Sequence, residues 1–412
     1  MSIKEQIDSI QIIDGHVHAV DPWYWLQYVG SFPFADVASK LPPLGPMQLL
    51  NKKKTTLRGF QEIFDFPHQE LTQENLPEME RIYADSQKDE DEARYFMKAM
   101  DIAGIEGALE MCLSEPVLPP GIDASRFAKA QLVDGFLIPL DNGGIEGNKR
   151  VKEFVTMVEV YPKILRQKSD PKTFDAYLGF ISNALEDLVK QDVVALKMNT
   201  AYWRDLVVDV VDRDEAEDVW NKKDTTPHRY KRLQDYLMRH LIAKAAELDL
   251  PIHIHTGSLG ITRPIGSANP AVLDPFLWLP DIKAAKIVLL HGGYPFCREA
   301  GFMAGRAGDV PSCYLDFSMM TFFLPGSPDS IKNILKEWIE YGLADKLLYG
   351  SDGNSVLGMW MSAVNARHVL TLALDELIAE GFVDEGQAVN FATLILRGNV
   401  KKLYRIADGF LG

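Results

Sequence analysis

The sequence has few of the features that mark secreted or membrane proteins. Its 412 residues contain three cysteines, none of them in a CxxC pair, which argues against a disulfide framework and favours a reducing compartment. No run of about 18 apolar residues is present to cross a bilayer. The amino-terminal stretch MSIKEQIDSIQIIDG holds no apolar run of signal-peptide length. We therefore expect a cytoplasmic protein with no membrane partner.

Basic side chains are outnumbered by acidic ones. Lysine and arginine total 43 against 58 aspartates and glutamates, which gives a formal net charge of −15. A strongly acidic surface repels phosphate backbones and anionic lipid headgroups, so a nucleic-acid partner is not expected. We expect a small-molecule substrate and a homo-oligomeric assembly.

Repeats and low-complexity segments are also missing, and the composition is that of an ordinary globular protein. Hydrophobic residues make up 47% and charged residues 25% of the chain, so a large core can be buried. A single α/β barrel needs about 250 residues. About 160 residues of the chain therefore need a separate explanation.

The dominant pattern along the chain is a short apolar run, a turn and an amphipathic helical stretch. This alternation is typical of parallel strands with crossover helices, and therefore of an α/β protein. Helices are expected over 89–103, 229–248, 330–341 and 359–380, where apolar residues recur at three- and four-residue spacing. The candidate strands end at His18, Leu113, Asp141, Asn199, Gly257, Gly293, Ser318 and Gly353. Eight strands are the number that closes a (β/α)8 TIM barrel.

Three connections between these strands are unusually long. They cover 19–88, 142–191 and 200–228, and they follow the first, third and fourth candidate strands. Each of them therefore emerges at the carboxyl-terminal mouth of the predicted barrel. We predict a single domain over 1–412 in which these βα-loop insertions form a cap that excludes water and shapes the pocket.

Histidines are concentrated at the ends of the candidate strands. Residues two apart in a strand point the same way, so both histidines of a His-x-His pair can face the barrel interior, with Ile13 and Val17 facing the helices. Convergent imidazoles and a carboxylate suit a divalent ion such as Zn²⁺. The alternative is that these are ordinary polar residues at strand ends. The occurrence of all six in order at strand ends makes this alternative the weaker interpretation. The set is His16, His18, His253, His255, His291 and Asp352.

Several motifs at these strand ends recur together in one known family. They are DGHVH (14–18), IHTG (254–257), LLHGGYPFCREAG (289–301), YLDFS (314–318) and YGSDG (349–353), followed by RGNVKKLYRI (397–406). The ordered set resembles the amidohydrolase superfamily. It is most similar to the amidohydrolase 2 branch, which includes the domain fused to glutamine synthetase in nodulin-type proteins. The resemblance runs nearly end to end and implies a (β/α)8 barrel with a catalytic divalent metal, for which we expect Zn²⁺.

The resemblance also implies the roles of individual residues. It places the metal on His16, His18, His255 and Asp352. His291 would lie beside the substrate in a site with one metal, or on the second metal in a site with two. The number of metals, one or two, stays open at this point.

Lys197 admits three interpretations. Its parity within VVALKMN directs its amine inward. In binuclear relatives a carboxylated lysine at the end of this strand bridges two metals, whereas in the branch that this chain most resembles the lysine is followed by a Tyr and an Arg, here Tyr202 and Arg204. Lys197 is therefore a carboxylated metal bridge, an uncarboxylated substrate contact or a structural lysine.

Arg204 and His253 are further candidates for substrate binding. The guanidinium fork of Arg204 matches a substrate carboxylate, although a surface ion pair is an alternative. His253 stands where the branch often has Gln, and its inward parity places it one layer below His255. There it either holds a neighbouring group in orientation or fills the core.

The function expected from these residues is that of a metal-dependent hydrolase. It would cleave a C–N (amide) or C–O bond of a small anionic molecule with a metal-activated water, with Asp352 as the proton shuttle and His291 at the substrate carbonyl. The alternative is a non-hydrolytic decarboxylase (lyase) or isomerase on the same scaffold. A metal-binding or scaffolding protein without catalysis is a third possibility, which the intact ligand set disfavours.

Overall fold

Eight parallel β-strands form the centre of the molecule. The computed structural model describes residues 1–18, 46–70, 72, 74–86, 90–118, 121–142, 145–147, 149–257, 263–321, 327–353 and 355–406. The strands are β1 (Ile12–Val17), β2 (Ile105–Cys112), β3 (Phe127–Leu132), β4 (Val193–Met198), β5 (Ile252–His255), β6 (Lys286–Leu290), β7 (Ser312–Asp316) and β8 (Leu347–Leu348). Each strand pairs in parallel with its neighbour in sequence, in the order β1 to β8.

The first and last strands meet at a seam that nearly closes the barrel. The Gly15 N–H donates to the Tyr349 carbonyl at 3.0 Å, and the Asp352 N–H donates to the His16 carbonyl at 2.7 Å. An isolated parallel bridge joins Val17 to Gly353. The predicted α/β fold, a TIM barrel, is confirmed.

Helices occupy most of the connections between strands. The four predicted helices are confirmed, with ends shifted by no more than three residues. Between β2 and β3 the described residues contain only a 3₁₀ turn, Ala124–Arg126. The α-helices are α1 (Ile3–Asp8), α2 (Pro46–Phe64), α3 (Leu76–Ser86), α4 (Glu90–Ala103), α5 (Lys149–Val158), α6 (Val160–Lys168), α7 (Phe174–Lys190), α8 (Arg213–Lys222), α9 (Pro227–Glu247), α10 (Asp274–Leu277), α11 (Cys297–Gly305), α12 (Pro328–Glu340), α13 (Val356–Ala379), α14 (Glu385–Thr393) and α15 (Asn399–Tyr404), and a π-helical turn (Leu394–Gly398) joins the last two.

The prediction of the third strand is wrong. It placed a strand ending at Asp141, whereas β3 ends at Leu132 and Asp134–Leu137 forms a 3₁₀ turn. The side chains that β3 directs into the barrel are Ala128 and Ala130, so its hydropathy is weaker than that of the buried GFLI stretch that follows. The pairing of β3 with both β2 and β4, which local sequence does not report, decides the assignment.

The interior of the barrel has its own apolar cluster, and the carboxyl-terminal helix packs against it. Val400 and Leu403 of α15 belong to this cluster together with Leu109 and Ala195. Ile13 also belongs to it, although strict alternation from His16 predicted that Ile13 faces the helices. The register of β1 shifts between Asp14 and Val17, which lets residues three apart both face inward.

The long connections carry helices of their own. Segment 142–191 contains α5, α6 and α7, and segment 200–228 contains α8. Of segment 19–88, residues 19–45, 71, 73, 87 and 88 lie outside the described residues, while the remainder holds α2 and α3. The single domain and the role of these segments as a cap stay predictions. Across the described residues, every helix is too short or too polar to cross a membrane.

Candidate metal centre

Three predicted ligands converge at the seam of the barrel. Nε2 of His16 lies 3.1 Å and Nε2 of His18 lies 3.3 Å from the same carboxylate oxygen, Oδ1 of Asp352. These ligand atoms all lie within 4.8 Å of one another. Ligands that each sit about 2.0–2.2 Å from one tetrahedral ion are roughly 3.3–3.6 Å apart. The spacing therefore fits a single divalent ion shared by the three side chains.

Backbone hydrogen bonds around Asp14 hold these ligands in place. Oδ1 of the buried Asp14 accepts from the His16 N–H at 3.1 Å and from the Ser351 N–H at 2.8 Å, so it joins the two strands that carry the ligands. Asp352 itself has a left-handed backbone, with φ of 49°. A non-glycine residue held in this region is costly and is common at functional sites.

Asp316 on β7 contacts the ring nitrogen of His16 that does not contact Asp352. Its Oδ2 is 3.3 Å from Nδ1 of His16, and Oγ of Ser318 bridges Nδ1 of His16 at 3.2 Å and Nδ1 of His291 at 2.9 Å. A carboxylate on the far nitrogen of a histidine fixes its tautomer and leaves the other nitrogen for a metal. The predictions from sequence included the motif YLDFS but gave Asp316 no role. Asp316 is the last residue of β7, and a carboxylate at the end of a barrel strand is the sequence signal that could have indicated this role.

His16, His291 and Asp316 also form a second group whose ligand atoms lie within 4.8 Å of one another. Unlike the first group, all three residues are fully buried. Their hydrogen bonds to Ser318 and to each other's neighbours already satisfy most of their polar atoms. We therefore assign His291 and Asp316 a role in positioning His16.

Gly350 is required by the close approach of β1, β7 and β8. A Cβ atom at this position would lie well inside van der Waals contact with Oδ2 of Asp316 and 2.8 Å from Cβ of His16. Any side chain at position 350 would push these two residues apart. The motif YGSDG thus contributes both a ligand and the space that the other ligands need.

The carboxylates of Asp352 and Asp316, which contact His16, are ionised. Burial would raise the pKa of Asp352, but the charge of His16 and the hydrogen bonds from His16 and His18 outweigh burial and hold that pKa well below its usual value. Burial likewise opposes ionisation of Asp316, whose pKa is lowered to about 2 by its hydrogen bond to His16 and the positive charge there. Two ionised carboxylates next to one imidazole favour the binding of a cation.

The pKa values of His16 and His18 shift in opposite directions. Burial and the charge of Lys197 would lower the pKa of His16, but Asp352 and Asp316 raise it above the usual value. Burial lowers the pKa of His18 to about 4. His18 is therefore a neutral imidazole at pH 7, which is the form that binds a metal.

Lys197 reaches the same point from β4, as its parity predicted. Its Nζ lies 3.0 Å from Nε2 of His16, and only 2% of the residue is exposed. Burial lowers the pKa of Lys197 to about 8, opposed by the carboxylates of Asp352, Asp316 and Asp134. The Lys197 ammonium therefore loses its proton more readily than an exposed lysine does. Beside the three ligands, the charged form suits an anionic substrate group, and the neutral form suits carboxylation.

His255 and His291 contact each other. Nε2 of His291 lies 3.0 Å from Nδ1 of His255, and neither of the two three-residue groups includes His255. Nε2 of His255 is buried and has no hydrogen-bond partner among the described residues, so it remains available to a metal. Both ring nitrogens of His291 are engaged, so in this arrangement it orients His255, and its predicted contact with a substrate carbonyl would require that bond to break.

Tyr202 lies beside the site. Its ring centroid is 4.3 Å from that of His255. It also stacks on Phe154 of α5, with centroids 4.1 Å apart. The segment 142–191 is therefore in direct contact with residues next to the candidate ligands.

Two predicted substrate-binding residues have other partners. Arg204 is buried and pairs with Asp235 of α9 at 2.5 Å, and it also donates to the Val207 carbonyl at 2.8 Å. Arg204 therefore takes part in an ion pair within the protein, and its predicted contact with a substrate stays a prediction. His253 lies one layer below the ligands, fully buried, with Nε2 2.5 Å from the Tyr404 hydroxyl. Its ring meets that of His16 edge-on, with centroids 6.0 Å apart, and its predicted role in substrate binding stays a prediction.

The carboxyl-terminal half of the chain is similar in sequence to known amidohydrolases. A family model of amidohydrolases matches residues 185–406. The protein named fluG of Emericella nidulans is 29% identical over 185 residues, which cover 43% of this chain and 20% of that protein. The matched segment thus spans about a fifth of that curated relative.

Solved structures of similar fold cover almost the whole chain. A Lactobacillus casei protein described as a metal-dependent hydrolase superimposes with a TM-score of 0.68 and 18% identity over 98% of this chain and 97% of that one. Glucuronate isomerase from Caulobacter crescentus gives 0.67 and 16% over 99% and 94%. Uronate isomerase from Thermotoga maritima gives 0.62 and 13% over 98% and 96%. At these identities the superpositions show the fold, and the family match, which spans more than half of the sequence, shows that the chain belongs to the amidohydrolase family.

Proposed function

We propose that the protein is a metal-dependent hydrolase that cleaves a C–N (amide) or C–O bond of a small anionic molecule. The observation that carries this proposal is the shared contact of His16 and His18 with one oxygen of an ionised Asp352. His16, His18 and Asp352 would hold the ion, with Nε2 of His255 as a further ligand. A nitrogen-rich ligand set with one carboxylate favours Zn²⁺.

The bound ion would supply an activated water and would polarise the substrate carbonyl. The chain supplies the proton transfers. Asp352, ionised and 15% exposed at its side chain, can accept a proton at its carboxylate and return it to the leaving amine or alcohol, a role that contributes about 10²–10⁴-fold. The Lys197 ammonium neutralises an anionic substrate group or the developing oxyanion.

The test is a comparison of zinc-loaded wild-type protein with Asp352→Asn. We would screen N-acyl amino acids, lactones and carboxylate esters in ¹⁸O-labelled water. The proposal expects label in the product of the wild type and a rate at least about 100-fold lower in the variant. Zinc content, measured on both proteins, is the control. Full turnover by Asp352→Asn with unchanged zinc would refute the proton-transfer role.

A second candidate is a non-hydrolytic isomerase or decarboxylase. The superposition of almost the whole chain on two uronate isomerases supports this second candidate. It predicts conversion of an acid to a product of unchanged mass, or release of CO₂, in either case without net uptake of water. Hydroxy acids and unsaturated acids assayed beside the amides and esters, with the mass of the product as the readout, separate the two candidates.

For location, we propose the cytoplasm. The three cysteines, Cys112, Cys297 and Cys313, are buried as thiols. Thiols persist in a reducing compartment. Fractionation of the native host, with the protein recovered in the cytosolic fraction, would support this, and recovery outside the cell would contradict it.

A further inference from the structure

The turn that follows β4 is held by a buried carboxylate from the end of the neighbouring strand. Asp134 comes two residues after β3 and is fully buried. Its Oδ2 accepts from the Asn199 N–H at 2.6 Å, and its Oδ1 accepts from the Thr200 hydroxyl at 2.7 Å. Both carboxylate oxygens therefore bind consecutive residues of the turn.

This turn carries Tyr202 to the candidate metal centre. Thr200–Tyr202 is a 3₁₀ turn, and the Tyr202 N–H donates to the Asn199 carbonyl at 3.0 Å. The centroid of the Tyr202 ring lies 4.3 Å from that of His255 and 4.1 Å from that of Phe154. The position of the ring therefore follows the position of the turn.

The two groups that donate to this carboxylate are on buried residues. Asn199 is 6% and Thr200 is 1% exposed. A buried N–H or O–H that loses its acceptor is costly, so without the carboxylate the turn would have to move to find new partners. The ion pair of Arg204 with Asp235 holds the far end of the turn. Such a movement would therefore affect the residues between, which include Tyr202.

We propose that Asp134 is a positioning residue for substrate binding, because it holds the ring of Tyr202 in place beside His255. This inference rests on the proposed function for the presence of a substrate next to that ring. Tyr202 is partly exposed, and an aromatic ring with a hydroxyl offers a substrate both apolar contact and a hydrogen bond. A displaced ring would therefore fit the substrate less well.

Asp134 has to be ionised for both of its oxygens to accept hydrogen bonds. Burial raises the pKa of Asp134 to about 6, and the hydrogen bonds that it accepts and the charge of Lys197 oppose burial. At pH 8, about 99% of the carboxylate is ionised. The measurements that follow are therefore made at pH 8.

The direct test is ¹⁹F NMR of the zinc-loaded, full-length protein with 3-fluorotyrosine in place of tyrosine. The chain has 14 tyrosines, and Tyr202→Phe identifies the resonance of Tyr202. In Asp134→Ala this resonance should move toward the position of an exposed fluorotyrosine, because the ring leaves its two aromatic neighbours. A Tyr202 resonance unchanged by Asp134→Ala would overturn the proposal.

A matched control separates positioning from a loss of stability. Asn399 is also buried, and its side-chain amide donates at 2.8 Å to the carbonyls of Ala344 and Leu347, at the amino-terminal end of β8. Asn399→Ala should lower the melting temperature, as Asp134→Ala does, and leave the Tyr202 resonance in place. An equal displacement of that resonance in both variants would count against a specific role of Asp134.

Two milder variants keep the test decisive if Asp134→Ala does not fold. Thr200→Val removes one of the two hydrogen bonds and keeps the shape of the side chain, so it should move the resonance in the same direction by less. Asp134→Asn keeps an acceptor for the Asn199 N–H, and its amide can donate to the Thr200 hydroxyl, so the wild-type resonance is expected. A Thr200→Val spectrum identical to that of the wild type would contradict the proposal.

Hydrolysis by the same variants keeps the two proposals apart. With a substrate from the labelled-water screen, kcat/KM of Asp134→Ala should fall about 10- to 100-fold, but less than about twofold in a Tyr202→Leu background. An undiminished kcat/KM with a displaced ring would overturn the role in substrate binding. A displaced ring in a protein that hydrolyses none of the compounds would reject the proposed function and keep the positioning of Tyr202 by Asp134.

Discussion

Nε2 of His16 lies 3.1 Å from Oδ1 of Asp352, at the seam where the first and last strands of the barrel meet. The same two residues are joined through their backbones, because the Asp352 N–H donates to the His16 carbonyl at 2.7 Å. The candidate metal centre therefore spans the seam that closes the barrel. A metal ion bound here would hold the two ends of the sheet together.

Metal removal is expected to destabilise the fold. An ion present at about one hundred times its dissociation constant stabilises the folded state by about 2.7 kcal/mol. Zinc should therefore raise the melting temperature of chelator-treated protein, as measured by calorimetry. His18→Ala should lose most of this increment. A melting temperature that zinc leaves unchanged in the wild type would contradict the shared-ligand site.

Gly350→Ala is expected to weaken both the fold and metal binding. The added Cβ would overlap Oδ2 of Asp316 and lie 2.8 Å from Cβ of His16, and overpacking of this kind costs about 1–3 kcal/mol. The matched control is Gly179→Ala on α7, where a Cβ meets nothing within 4 Å, and which should be neutral or stabilising. Urea unfolding and zinc titration measure the two effects. Similar behaviour of the two variants would show that the strands relax easily around position 350.

Asp235→Ala is expected to destabilise the protein by about 3–5 kcal/mol, because it leaves Arg204 buried without its charge partner. Lys231 also donates to Asp235, at 2.7 Å. The control is Asp187→Asn, which breaks an exposed pair with Lys190 and should leave the urea midpoint nearly unchanged. If Arg204→Met instead kept its stability and raised the KM for substrate, the substrate role expected from sequence would be supported.

The cysteines Cys297 and Cys313 are expected to be unreactive in the native protein. Burial raises the pKa of Cys297 to about 12 and that of Cys313 to about 11. Raised values keep the proton on sulfur, so at pH 9 about 1% or less of either thiol is ionised. A thiol reagent should label neither before unfolding and both after it. Rapid labelling of Cys297 at pH 8 in the folded protein would contradict its burial.

Strand alternation was enough to predict much of the site. A period of two places His16, His255 and Lys197 on the inward face of their strands, although in β1 a register shift turns Ile13 inward as well. The parallel topology brings these strand ends to one mouth. Asp352 followed from its place in the last candidate strand, which the sequence extends to Gly353, whereas β8 ends at Leu348. These inferences need only local sequence and the number of strands.

The remaining features depend on contacts between distant segments. Arg204 finds its partner Asp235 on α9, 31 residues further along, and no local pattern marks that pair. The engagement of both nitrogens of His291 depends on Ser318 and His255, on two other segments of the barrel. β3 was missed because its inward residues are alanines, and only pairing with its neighbours identifies it.

Anomalous diffraction at the zinc edge, from crystals of the zinc-loaded protein, tests the metal site most directly. We predict one peak about 2.0–2.2 Å from Nε2 of His16, Nε2 of His18 and a carboxylate oxygen of Asp352. Two peaks about 3.5–4 Å apart, with carboxylated Lys197 between them, would replace this single-ion site by a binuclear one. Density at the zinc edge that is confined to other residues, with none at His16, His18 and Asp352, would contradict it.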